Sequence, residues 1–80
     1  MLIIPNRIYR HFKGNLYLVT GVAVNAGKGG ELYVVYRALY EDCQLFVRPL
    51  EEFLSPVDRK KYPNAKQEKL FELTDIAMEK

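Results

Sequence analysis

A single histidine, His11, lies between Arg10 and Lys13 near the start of the chain, and its residue type comes nearest to acid–base chemistry. A catalytic imidazole needs a carboxylate to orient it, yet residues 1–30 hold no acid and Glu31 is the first one met. The balance for His11 therefore falls on a structural role across a sheet, with ligand contact ahead of catalysis. Arg48, fixed before Pro49, offers a planar fork that fits a phosphate or a carboxylate. Glu31, Glu51 and Glu52 are the internal partners that would compete for it. Glu51 and Glu52 are adjacent, so they point in different directions on a helical turn and form no acid–base pair. Cys43 sits in a turn with no cation but Arg48 in prospect to lower its pKa, which disfavours a nucleophilic role.

Other chemistries are excluded more directly. One Cys and one His cannot supply the usual ligands of a zinc site, and a lone cysteine closes no intramolecular disulfide. A lone thiol suits a reducing cytoplasm, so a cytoplasmic setting is expected. The glycine-rich stretch Asn25-Ala26-Gly27-Lys28-Gly29-Gly30 lacks the spacing of a phosphate-binding loop, and no helical pattern follows it. It reads as a hairpin connection. Arg59-Lys60-Lys61 reads as a solvated charge run. No cofactor is implied.

These residues need elements to hold them. Tyr9-Arg10-His11-Phe12-Lys13, if extended, points Tyr9, His11 and Lys13 to one face and Arg10 and Phe12 to the other. Gly14-Asn15 is a turn dipeptide. Leu16 to Val24 is dense in β-formers and apolar on both faces, which predicts a strand covered on both sides, with Gly21 marking a bend or bulge. Glu31 to Tyr40 alternates, with Leu32, Val34, Tyr36, Ala38 and Tyr40 on one face and Tyr33, Val35, Arg37 and Leu39 on the other, Arg37 near an edge or reaching solvent. The chain turns at Glu41-Asp42-Cys43-Gln44 and returns as Leu45-Phe46-Val47-Arg48. Pro49 then suits the first position of a short helix in which Leu50, Phe53 and Leu54 face inward.

Leu2-Ile3-Ile4 is a candidate edge strand, and an exposed edge invites pairing into a homo-oligomer. Residues 54–68 form a surface excursion. Lys69-Leu70-Phe71-Glu72-Leu73 is read as a strand within residues 68–74, although Ala65 to Met78 is also rich in helix formers. Residues 75–80 are expected to fray. Among the tyrosines, Tyr9 and Tyr33 are the expected exposed pair, beside Arg37.

An 80-residue chain with 49% apolar residues makes a single domain with one small core. No stretch approaches the ~20 apolar residues that cross a bilayer, and the apolar start is too short for a signal peptide. The fold expected is mainly β: a small, strongly bent antiparallel sheet or SH3-like barrel of about five strands, with a helical turn after Pro49.

The motifs resemble a small family of bacterial domains catalogued as domain of unknown function 1653. Tyr9-Arg10-His11-Phe12-Lys13-Gly14 matches its opening, and Tyr17, Val19, Gly21 and Ala23 follow at its spacing. Glu31, Val34-Val35-Tyr36 and Leu39-Tyr40 continue the match, and Val47-Arg48-Pro49-Leu50 with Phe53 completes it over residues 9–53. Two departures stand out. The family's usual H-S-E-T loop is replaced by Asn25–Gly30, and its usual Trp before Val-Arg-Pro is Phe46. The resemblance implies a small barrel-like domain and brings no activity.

Two functions follow as expectations. The first is a non-catalytic binding module whose basic N-terminal face, with Arg10, His11 and Lys13 and with Lys28 and Arg48 as further cations, contacts nucleic acid or an acidic protein. The alternative is a small-molecule or enzymatic pocket around His11, Tyr36 and Arg48. The first is preferred, because no acid lies near His11 in sequence and so short a chain leaves little volume for a pocket.

Overall fold

The longest strand of the computed structural model, which describes residues 3–76, is the β-branched run Leu16–Val24, and the sheet grows outward from it on both sides. The strands are β1 (Arg7–His11), β2 (Leu16–Val24), β3 (Leu32–Ala38), β4 (Leu45–Pro49) and β5 (Phe71–Leu73), with a single helical turn, α1 (Leu50–Phe53), after β4. All neighbours pair antiparallel in the order β4-β3-β2-β1-β5. The first four strands form a meander, and β5 returns to pair with β1. β4 and β5 do not pair with each other, so the sheet stays open and the closed barrel is not formed.

The predicted bend at Gly21 is a β-bulge. Val19 lies opposite Tyr36 and Gly21 opposite Val35, which leaves Thr20 as the extra residue on β2. Its hydroxyl donates to the Val35 carbonyl at 3.0 Å. The bulge lets β2 change direction without losing its pairing to β3.

Only one half of β2 is covered, which corrects the expectation of a strand enclosed on both faces. Tyr17 and Val19 are buried, whereas Val22, Ala23 and Val24 beyond the bulge are exposed. With a single sheet, one face meets the core and the other meets water. The core face carries Tyr9, Tyr17, Val19, Val34, Tyr36 and Ala38, and is closed by Leu50 and Phe53 of α1 and by Phe71 of β5. Phe53 is 1% exposed and stacks on Phe71 with centroids 4.1 Å apart. Burial of a side chain of this size contributes about 1.5–3 kcal/mol.

The helical turn forms after Pro49, which stands at its N-cap, one position before the first helical position expected, where a missing N–H likewise costs no helical bond. Leu50 and Phe53 are one turn apart and both turn inward. The turn closes with Leu54 N donating to the Leu50 carbonyl at 3.0 Å, and Pro56 prevents its extension.

Tyr9 is 6% exposed, and its hydroxyl accepts from the Ile4 amide at 3.1 Å, so it is a core residue and not part of an exposed set. Tyr33 is half-buried and Arg37 is exposed, its Nη1 donating to the Cys43 carbonyl at 2.9 Å. Ile3 and Ile4 form no strand, which removes the candidate edge there; Leu2 lies outside the described residues. The excursion is anchored by the buried Val57, whose amide donates to Glu68. Among the described residues after Ala65 there is a strand and no helix; the tail expected to fray falls largely outside them.

Candidate binding face

β1 ends at His11 because Gly14 takes φ 108°, a conformation open mainly to glycine, and folds the chain back into β2. The Gly14 amide donates to the His11 carbonyl at 2.7 Å and the His11 amide to the Asn15 carbonyl at 2.9 Å. His11 thus stands at a fixed strand end, opposite Phe71 in the β1–β5 register. Its ring lies 5.0 Å from Phe71 and 4.7 Å from Phe12. Nδ1 accepts from the Lys13 amide at 3.2 Å. Burial, followed by the charges of Arg48 and Lys13, lowers its pKa below the usual 6.5, so the ring is neutral at pH 7.

Arg48 reaches the same place from the other margin of the sheet. Its Nε donates to the Tyr36 hydroxyl at 3.0 Å, its Nη1 meets Glu52 Oε1 at 2.8 Å, and its guanidinium carbon lies 5.5 Å from the Phe71 ring centre. Burial alone would lower its pKa; the Tyr36 hydroxyl and Glu52 outweigh that and raise it. Tyr36 is itself buried, with Phe46 stacked on it at 5.6 Å and Phe71 edge-on at 5.4 Å. His11, Tyr36 and Arg48 therefore do converge, and the group at their centre is Phe71.

Aromatic rings extend this cluster to the surface. Tyr17 packs edge-on against Tyr36 and Tyr40, and the Tyr17 and Tyr40 hydroxyls hydrogen-bond at 2.6 Å. Burial, with Tyr40 adding to it, pushes the Tyr17 phenol up to about 12, so it stays protonated at neutral pH. Phe46 remains 38% exposed beside Arg48. On the β1 side, Lys13 Nζ lies 5.3 Å from the Tyr62 ring and 5.9 Å from that of Phe12. The result is a ledge of rings with a guanidinium and an ammonium set among them.

The basic N-terminal face foreseen from sequence is divided. Arg10 pairs with Leu16 and Glu72 on the opposite side of the sheet from His11, because strand neighbours alternate faces. Lys28 belongs to a short 3-10 turn, Ala26–Lys28, in the β2–β3 connection at the other end of the strands. Of the five candidates, His11, Tyr36 and Arg48 meet, Lys13 adjoins them, and Arg10 does not. Phe71, Tyr17, Phe46 and Tyr62 were not singled out for this face. The signals for them were weak: Phe71 sits in an apolar run, but its pairing with a strand sixty residues earlier is not local information.

Two clefts lie away from this ledge. One of about 330 Å³ is bounded by Glu31, Leu32, Tyr33, Pro49, Leu50 and Glu51. A shallower one of about 390 Å³ lies over Ala23, Val24, Asn25, Tyr33 and Val47. Among the described residues no group of His, Cys, Asp and Glu side chains could hold a metal ion, and no helix is long and apolar enough to cross a membrane.

The family described as protein of unknown function (DUF1653) matches residues 7–71, a longer span than the motifs alone covered. No curated protein and no solved structure matches the chain.

Proposed function

Because the chain belongs to that family, whose description carries no activity, its function must be read from the ledge, and we propose that it is a non-catalytic binding module for an anionic partner. The observation that carries this reading is the pairing of Phe46, 38% exposed, with the half-buried Arg48, while Lys13 rests on Phe12 and Tyr62 across the same region. Rings on which bases stack, interleaved with cations that meet phosphates, are how small sheets take single-stranded nucleic acid. That version of the anionic partner is favoured over an acidic protein surface. Three rings, Phe46, Phe12 and Tyr62, and two cations on one ledge suit stacking, which an acidic protein does not require.

The absence of catalysis in this reading rests on how His11 is engaged. Its Nδ1 takes a backbone amide of its own turn, and its neighbours in charge are Arg48 and Lys13. A general base is oriented by an acid, and here cations flank the ring. The alternative of a pocket between His11, Tyr36 and Arg48 is disfavoured by Phe71, which fills the space among them.

Titration of fluorescently labelled single-stranded RNA and DNA at two salt concentrations tests the proposal. Binding that weakens with salt, with a log–log slope near −0.7 per phosphate contacted on single strands, is the expected result. Absence of binding at low salt would remove the nucleic-acid version, and an acidic polypeptide that binds in its place would redirect the proposal to protein.

A further inference from the structure

The margin of the sheet at β4 has a hydrogen-bonding pattern that matches a second copy of itself. The Ala38 amide donates to the Gln44 carbonyl at 2.9 Å, which makes these two a hydrogen-bonded pair. Such pairs alternate along an antiparallel ladder, so the register carries the pattern through Tyr36–Phe46 and Val34–Arg48. The amides and carbonyls of Leu45 and Val47 therefore point away from β3, toward the side on which no strand of the described residues pairs. Pro49, which has no amide, ends the run.

Edge strands in monomers are usually guarded by charge, by a bulge or by a covering segment. The two edges here are treated differently. Beside β5 the segment around Ser55–Val57 makes bonds to Glu68 and Leu70, with a bridge between Pro56 and Lys69. At β4 the three residues Leu45, Phe46 and Val47 are uncharged and 47%, 38% and 62% exposed.

We propose that β4 pairs antiparallel with β4 of a second copy about a twofold axis through Phe46, joining two sheets into one. In that register Leu45 faces Val47 of the partner copy and exchanges both backbone bonds with it, and the symmetric pair does the same. Every outward amide and carbonyl of Leu45 and Val47 is satisfied, as an isologous contact requires. The two Phe46 rings meet on the core side, and Arg48 falls opposite an uncharged Gln44, so no like charges oppose each other. A second copy is favoured over a foreign strand because this register is self-complementary and because no charge on Leu45–Val47 selects a partner of opposite sign. The inference does not rest on the proposed binding of anions, but the two share Phe46, whose ring the dimer would set against its copy where the two ledges join.

The test is Val47→Pro with sedimentation velocity over a range of concentrations. Proline is tolerated where a strand amide faces outward, so pairing with β3 is kept while both outward Val47 amides of the dimer are lost. Wild-type protein is expected to reach twice its 9.3 kDa chain mass with rising concentration, and the variant, with an unchanged circular-dichroism spectrum, to stay at the chain mass. A wild type that remains monomeric throughout, or a dimer indifferent to Val47→Pro, overturns the proposal. Should the variant not fold, amide exchange in the wild type decides. Leu45 and Val47 amides should slow by about ten-fold or more from dilute to concentrated solution, and concentration-independent exchange at both overturns it. Loss of anion binding would leave these readouts unmoved, so the two proposals fail separately.

Discussion

The guanidinium of Arg48 lies over the ring of Phe71, 5.5 Å from its centre, although the two belong to strands on opposite margins of the sheet. A flat sheet would hold β4 and β5 four strand spacings apart, roughly 19 Å at about 4.8 Å each. The open sheet must therefore curl until its edges approach each other across the core face. The bulge at Thr20 and the helical turn α1 beneath the sheet are consistent with that curl.

Phe71 is accordingly the side chain on which this curl closes. It stacks on Phe53 and meets Tyr17, Tyr36 and His11 edge-on. Truncation to alanine should cost about 3–5 kcal/mol, the range for a buried phenylalanine, and Phe71→Leu substantially less. Urea unfolding followed by tyrosine fluorescence measures this. A loss below about 1 kcal/mol for Phe71→Ala would show that the edges do not depend on the ring.

Arg48 and Glu52 allow the ledge to be tested in both directions. Glu52 is the carboxylate that holds Nη1, with the pair at 31% and 55% side-chain exposure, so the salt bridge itself should contribute little to stability. Arg48→Ala should weaken binding of a single-stranded oligonucleotide and reduce the magnitude of its log–log salt slope by about 0.7. Glu52→Gln should strengthen binding by releasing the guanidinium. If both variants bind like the wild type, Arg48 is structural and the ledge is elsewhere.

Much of this was legible in the sequence. The alternation from Glu31 to Tyr40, the proline at 49 and the Gly21 irregularity are local signals; the strand formed over Leu32–Ala38, α1 began one residue after Pro49, and the irregularity is a bulge. Burial was harder to read. Tyr9 looked like a surface aromatic beside cations, but its strand register and its bond to the Ile4 amide place it inside. Val22 to Val24 looked like core, but they are exposed, and among the described residues no second layer covers them. The union of His11 with Arg48 was foreseen as an alternative pocket. The ring that joins them was not, because β5 pairs with β1 across most of the chain. The separation of Arg10 from His11 follows from strand alternation, which assigned them to opposite faces at the outset, while that of Lys28 follows from its place in the β2–β3 connection.

His11 makes stability depend on pH in a definite direction. Burial first, then Arg48 and Lys13, hold its pKa below the usual 6.5, so the unfolded chain binds the proton more readily than the folded one. Stability is therefore complete above pH 6.5 and falls as pH drops through that value toward the lowered folded one. The effect is small, since the ring is only half-buried. His11→Gln should flatten the urea midpoint between pH 7 and about 5, above the range where most carboxylates titrate. An unchanged slope in the variant would assign that pH dependence to other groups.

Gly14 is a position where backbone conformation, and not packing, decides the outcome. Its φ of 108° is one that side-chain-bearing residues rarely adopt, yet a Cβ placed there meets no atom within 4 Å. Gly14→Ala should therefore be destabilising through strain alone, by about 1–3 kcal/mol. Because the turn fixes the end of β1 through the His11 carbonyl and amide, the cost should be accompanied by a change in the His11 environment. Thermal unfolding with the His11 Cε1–H resonance recorded on each variant checks both. A variant as stable as the wild type, with the His11 signal unmoved, would mean that the turn takes another conformation and does not position His11.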